Sequence, residues 1–299
     1  MRGRRSMNSI LLGAALALGL AGCDDGVGVG EARVSVLLTD ASADYIDEAL
    51  VDIGRVELVG GSGGPVTLSE DGTDGMVNLM DLRDAVTTTL ATADVEADTY
   101  SQLRLIVEAA SVKLLAPHEF NDGSSTKVLT IPSGAQTGIK LNLEAAADDA
   151  DGGGVEISGD MVFVVDVDVT RSYVMQGNPE TPAGLESMSF KPTMRVVVEA
   201  FAGSVSGTVT TSVPGLDVEG MIVTAEPVEE TLLEPYQSES PTALVNADGT
   251  YTLYFVVPGE YSVSVDAVEG NGADPVDVMV DQGERVVGVD FAVEELPIP

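Results

Sequence analysis

Apolar residues recur at every second position over most of the chain beyond residue 31, the period of strands with one face in a core and the other in water. In "QLRLIVEA", Leu103, Leu105 and Val107 share one face, and Gln102, Arg104 and Glu108 take the other. "MVFVVDVDVT" turns Met161, Phe163, Val165, Val167 and Val169 one way. Asp166 and Asp168 then face outward, as a charged edge that resists pairing with other strands. Glycine, proline, Asn and Asp punctuate these runs in "GGSGGP", "EDGTDG" and "DDADGGG". No long stripe of period 3.6 is present. "ASADYIDEAL" predicts one short helix, capped by Asp40 or Ser42.

The composition shifts at "AFAGSVSG" (200–207), and beyond it the alternation is cleaner. Tyr251, Leu253, Phe255 and Val257 line one face, "PGE" turns the chain, and Tyr261, Val263 and Val265 line the next. Val276, Val278 and Val280 follow, "DQGE" turns again, and Val287, Val289, Phe291 and Val293 close the unit. That spacing predicts an antiparallel β-sandwich of about seven strands. The chain therefore reads as all-β, with two antiparallel β-sandwich-like domains at residues 32–201 and 203–293 and a tail at 294–299. The first domain is expected to carry one or two short helices.

The first thirty residues follow a different pattern. Arg2, Arg4 and Arg5 precede an apolar run from Ile10 to Leu20, which is too short for a bilayer span of roughly 20 residues. A basic start, a short apolar middle and small residues after it describe a secretory signal peptide, with general secretion favoured over a twin-arginine route. Leu20-Ala21-Gly22-Cys23 resembles the bacterial lipoprotein box. The resemblance implies cleavage before Cys23 and a diacylglyceryl group on its thiol. Residues 1–22 are then the signal peptide and 23–31 a lipidated tether of Gly and Val. Each buried acyl methylene is worth about 0.8 kcal/mol, so several chains hold a protein firmly. Asp24 resembles the enterobacterial signal for inner-membrane retention; the choice between inner and outer membrane stays open.

Charge narrows the partners. The net charge is −35, with 49 acidic residues against 14 basic ones, and it becomes more negative once Arg2, Arg4 and Arg5 are removed. Nucleic acid is excluded as a partner, because phosphate binding needs clustered Lys and Arg. An anionic lipid surface repels such a chain, so the lipid must supply the membrane contact. An envelope protein or a polysaccharide remains as a partner class. An acidic surface also suits a salty medium, where screening acts over ~10 Å or less. Cys23 is the single cysteine, so no disulfide forms within the chain and core burial must hold the exported fold together.

Few residues carry candidate chemistry. His118 is the one histidine, in "LLAPHEFNDG", and reads as an exposed loop residue. No serine stands in a nucleophile elbow. One His and one lipidated Cys cannot assemble a zinc site. Calcium needs only oxygen ligands, and Asp148, Asp149 and Asp151 come closest to wrapping it, although no Glu closes the loop. "EDGTDG" (70–75) is a second, weaker candidate, and no other cofactor is expected. The chain has no tryptophan, which argues against a sugar-stacking platform; Tyr45, Tyr100, Tyr173 and Tyr236 are the local alternatives. Choosing two carboxylates from so many for glycoside hydrolysis would be arbitrary.

Two resemblances cover most of the chain. "VSVLLTDASADYIDEALVDIGRVEL", "DGMVNLMDLRD", "LATADVEADTYSQLRLIVEAASV", "VLTIPSGAQTGIKLN" and "SFKPTMRVVVE" resemble the bacterial domain of unknown function numbered 4382. Ser42 and Asp98 depart from its usual proline and glycine, both in turns. That resemblance implies a β-rich exported lipoprotein domain and brings no activity. Residues 203–293, with the turns Asp248-Gly249-Thr250-Tyr251 and Pro258-Gly259-Glu260-Tyr261, resemble the carboxypeptidase regulatory-like domain, a transthyretin-type sandwich without catalytic residues. The resulting expectation is a lipid-anchored cell-envelope protein with a non-catalytic binding, adhesion or scaffolding role. The alternatives are a calcium-stabilised binding module and a hydrolase using first-domain carboxylates.

Overall fold

The computed structural model describes residues 30–41, 45–131, 137–143, 154–178, 184–228, 240–266 and 271–295. The described chain is nearly all strand, arranged around two separate apolar cores. Among the described residues, helical elements include the four-residue helix Val169–Ser172 and the 3-10 turns Leu79–Asp81 and Glu199–Phe201.

Two sheets enclose the first core. One has the order Met194–Val198, Met161–Asp168, Glu31–Ala41, Thr88–Glu96. The other is built on the long antiparallel pair Ile46–Val59 and Gln102–Leu114. Val34, Val36 and Leu38 from the first sheet and Val51, Ile53, Leu103 and Leu105 from the second are fully buried in a common cluster. Burying each such side chain contributes roughly 1.5–3 kcal/mol, which is how a fold without disulfides is held.

Two expectations fail here for a common reason. The segment from Ile46 is not a helix but the start of a fourteen-residue strand, whose partner ladder outweighs local helix preference. The strand Met161–Asp168 is not an edge. It lies inside its sheet, parallel to Glu31–Ala41 on one side (Val36 opposite Phe163, Leu38 opposite Val165) and antiparallel to Met194–Val198 on the other. Interior strands of this kind are covered on both faces and lose the solvent side that alternation implies. Val164 and Val197, paired across the two strands, are accordingly buried along with Phe163 and Val165.

In the second unit, one sheet contains Thr250–Val256, Gly203–Thr211 and Phe291–Glu295, and the other Thr242–Leu244, Ile222–Pro227, Gly259–Val265 and Val276–Val280. Val205, Val223, Leu253, Val263, Val280 and Phe291 fill the space between them. Tyr251 and Tyr261 bury their rings and donate their hydroxyls to the carbonyls of Val289 (2.7 Å) and Val257 (2.9 Å). Gly207 runs so close to the neighbouring chain that a Cβ there would overlap the Val289 carbonyl. In the Asn246–Thr250 turn, the Asp248 carboxylate accepts from the Thr250 hydroxyl (2.6 Å) and amide (3.0 Å). Those two bonds hold its pKa below the ordinary carboxylate value.

The alternation slips twice in this unit. A register shift opposite Gly203–Val205 places Val256, not Phe255, in the core after Tyr251 and Leu253. Phe255 takes φ +53, outside the strand range. Gly288, at φ +78, ends the short strand Arg285–Val287, so Val287 is 74% exposed while Val289, Phe291 and Val293 are buried.

Candidate functional site: a cleft between the two units

Cys23, residues 24–29 of the tether, Asp148, Asp149, Asp151 and Tyr236 lie outside the described residues, and Glu31, the last residue assigned to the tether, is the first of the strand Glu31–Ala41. The Glu70–Gly75 loop is held by protein groups: Gly72 and Thr73 donate their amides to Gly54 and Ile53 carbonyls, and the Thr73 hydroxyl lies 2.6 Å from the Gly75 carbonyl. Among the described residues no three His, Cys, Asp or Glu side chains converge closely enough for a metal ion. His118 is half-buried and packs edge-on against Tyr45, with ring centroids 5.0 Å apart. Tyr100 and Tyr173 are buried, with their hydroxyls on the carbonyls of Glu96 and Leu50, so neither offers a stacking face. Burial pushes both phenols above their ordinary pKa, with nearby carboxylates adding to the shift.

The polar groups that do come together lie where the two units meet. Asp166 and Arg195 are opposite each other on neighbouring strands of the first unit. One Asp166 carboxylate oxygen accepts from Arg195 Nε (2.9 Å) and from its Nη2 (2.5 Å). The same guanidinium reaches across and donates to the carbonyls of Phe255 (2.7 Å) and Tyr254 (3.2 Å) in the second unit. These carbonyls belong to the residues at the register shift, where regular pairing with the neighbouring strand is lost. Arg195 is 93% buried by side-chain area, since only 7% remains exposed. A buried charge of this kind is tolerable only when fully partnered. Asp166 therefore serves a cross-unit clasp and does not repel edge pairing.

Asp168 is buried as well. Its carboxylate accepts the Arg171 amide (2.9 Å) as the cap of Val169–Ser172, and the Arg171 side chain lies 3.5 Å away. Asp40, expected as a helix cap, is instead the last inward position of the stripe Val34, Val36, Leu38 and is 6% exposed. Neither of its carboxylate oxygens has a hydrogen-bond partner. Burial first, then the charges of Asp166 and Asp168, push its pKa well above the ordinary range. The Val169 amide, near but out of hydrogen-bonding geometry, and the Arg83 guanidinium offset this only in part.

Next to this group is a cleft of about 220 Å³ lined from both units, by Asp40, Arg83, Asp84 and Asp166 on one side and Glu219, Tyr254 and Phe255 on the other. A second, wider groove of about 610 Å³ shares Tyr254 and Phe255, together with Ser204, Ser206, Glu199 and Arg285. Asp84, Ala85 and Phe255 all line the cleft at φ between +53 and +59. Such backbone is costly for residues with a Cβ and is concentrated at functional sites. Alternation did not reveal this cleft. The only signal was one charge in otherwise apolar strands, as in Met194-Arg195-Val196-Val197-Val198.

Comparison with known proteins adds a family but no activity. No curated protein matches the chain. Among solved structures, the minor pilin GBS52 of Streptococcus agalactiae is 9% identical, over 89% of this chain and 97% of its own, at a TM-score of 0.25. The shaft pilin SpaA of Lactobacillus rhamnosus GG is 11% identical, over 90% of this chain and 98% of its own, also at 0.25. The TIE protein of Bacillus anthracis is 10% identical, over 87% of this chain and 40% of its own, at 0.23. Scores this low do not establish a common fold, and these likenesses carry no functional weight. The family model described as "Domain of unknown function (DUF4382)" matches residues 31–183, which is just over half of the chain. The chain belongs to that family.

Proposed function

We propose that this chain is a lipid-anchored cell-envelope protein whose two β-units serve a non-catalytic binding, adhesion or scaffolding role. The observation that carries the non-catalytic part is how the buried polar groups of the described residues are used, the unpartnered Asp40 apart. Arg195 is taken up by Asp166 and two carbonyls, and Asp168 by a helix cap. The hydroxyls of Tyr100, Tyr173, Tyr251 and Tyr261 are taken up by backbone carbonyls. These are bonds that hold strands and units in place, whereas acid–base or nucleophilic work needs a side chain poised toward a reacting atom. No helix among the described residues is long and apolar enough to cross a membrane.

The anchoring part rests on Leu20-Ala21-Gly22-Cys23 behind its basic and apolar leader, and on an acidic chain that would not approach an anionic bilayer unaided. Residues 203–293 serve in this reading as a carboxypeptidase regulatory-like spacer or binding module. The test is metabolic labelling with a palmitate analogue in a bacterial host. The wild-type chain takes the label and a Cys23→Ser variant does not; equal labelling of the two would contradict anchoring.

A further inference from the structure

The wider groove has a floor whose hydrogen-bonding side chains the protein leaves unused. On the strand Gly203–Thr211, Ser204 and Ser206 flank the buried Val205, so both stand on the outer face of their sheet. Thr252 and Tyr254 alternate in the same way with the buried Tyr251 and Leu253. Strand pairing sets Thr252 beside Ser206 on one side and Val287 on the other, and Arg285 beside Ser204. All six residues line the groove. With strands about 4.8 Å apart and alternate side chains about 6.7 Å apart, they form a patch of roughly 10 by 7 Å. Among the described residues, no protein group bonds the hydroxyls of Ser204, Ser206, Thr252 and Tyr254 or the Arg285 guanidinium. Further along the same strand the hydroxyls are all engaged: Thr208 with the Asp290 carboxylate (2.8 Å), Thr210 and Thr211 with the carbonyls of Phe291 and Val293.

The lining selects a class of ligand. Gly203–Thr211 is paired on both sides, so its main-chain groups are taken up and an extended peptide cannot add to it as a strand. What remains is a row of hydroxyls that donate and accept, a planar guanidinium and an aromatic face, which together suit a polyhydroxylated ring. Tyr254, 36% exposed, keeps the open ring that Tyr100 and Tyr173 lack, and Val287 adds apolar surface on the far side. Arg285 is the one Lys or Arg in residues 203–293, while Glu199 and Glu284 also line the groove, so an acidic ligand is disfavoured. We propose that this groove binds a neutral glycan, with one pyranose ring over Ser204, Ser206 and Thr252, its apolar face against Tyr254 and its outer hydroxyls on Arg285. The volume of about 610 Å³ falls within the range of roughly 300–1,000 Å³ for small-ligand sites. Arg195 fixes the Tyr254 and Phe255 carbonyls before a ligand arrives, and Ala85 and Glu199 of the first unit close the other side. The proposal rests on the binding role put forward above and names its ligand class; it does not depend on Cys23.

The experiment is titration calorimetry of the full chain at pH 7 with maltotriose, cellotriose and tri-N-acetylchitotriose, and with trigalacturonate as the acidic comparison. The expected result is saturable one-to-one binding of at least one neutral trisaccharide and none of trigalacturonate. A Ser206→Ala/Thr252→Val variant removes two hydroxyls from the outer face without touching the core and should bind about tenfold more weakly. Tyr254→Ala and Arg285→Gln should each weaken binding by a similar factor. All three variants should unfold at the wild-type urea midpoint, which separates loss of ligand contact from loss of fold. Binding of none of the neutral sugars, tighter binding of trigalacturonate, or a double variant that binds as the wild type does would overturn the proposal. Such a failure removes the glycan and not the anchor, which the Cys23→Ser labelling tests separately.

Discussion

The two units solve the same packing problem with different purity. In the second, the buried side chains are almost all apolar, and Thr224 is its one buried polar residue among those described. In the first, Thr39, Asp40, Ser111, Asp168, Ser172 and Arg195 are buried. Several of these gather at the end of the sheet that meets the second unit, where Arg195 crosses to the Tyr254 and Phe255 carbonyls. The second unit is a sandwich closed on itself. The first is a sandwich with one charged end, and that end is finished by its neighbour.

The strongest way to probe the apolar unit is Gly207→Ala. Its Cβ would overlap a backbone carbonyl that cannot swing away, so a loss of about 4 kcal/mol is expected in chemical denaturation. The opposite sign is expected at the charged end. Asp40→Asn removes a buried carboxyl without partners and should stabilise the chain by on the order of 2 kcal/mol at pH 7. The pH dependence has a definite direction. Burial raises the folded pKa of Asp40, so wild type and variant match below the unfolded value of about 3.9. Wild type then falls behind as pH rises toward the folded pKa, which urea melts at pH 4 and pH 7 will reveal.

A smaller effect tests the polar detail of the apolar unit. Tyr251→Phe removes a 2.7 Å bond to the Val289 carbonyl inside the core and should cost about 1–2 kcal/mol by urea denaturation. Smallest of all is Arg33→Ala. The pair Arg33–Asp94 is well exposed on both sides, with 61% and 56% of the side chains accessible. Its removal should leave the denaturation midpoint unchanged; a measurable loss would mean that surface charge, and not the buried clasp, holds the first unit.

Much of the fold was legible because period two is a direct consequence of a half-buried strand. Leu103, Leu105 and Val107, and Tyr261, Val263 and Val265, point inward as their spacing required. The pattern failed where a strand has no solvent face or a residue is inserted. Asp166 and Asp168 read as outward charges because alternation cannot show that another strand and another unit lie over them. Phe255 read as core because a bulge of one residue reverses every side chain after it. The cleft was illegible for the same reason, since its walls come from residues 39–40, 83–85, 166, 219 and 254–255, which only the tertiary fold brings together.

Arg195 joins two separately built cores into one cooperative body. Differential scanning calorimetry of the full chain beside an Arg195→Met variant tests it directly. The wild-type chain should melt in a single transition and the variant in two, with the first unit melting at the lower temperature because Asp166 has lost its partner. Two transitions already present in the wild type, or a variant that still melts as one, would contradict the claim.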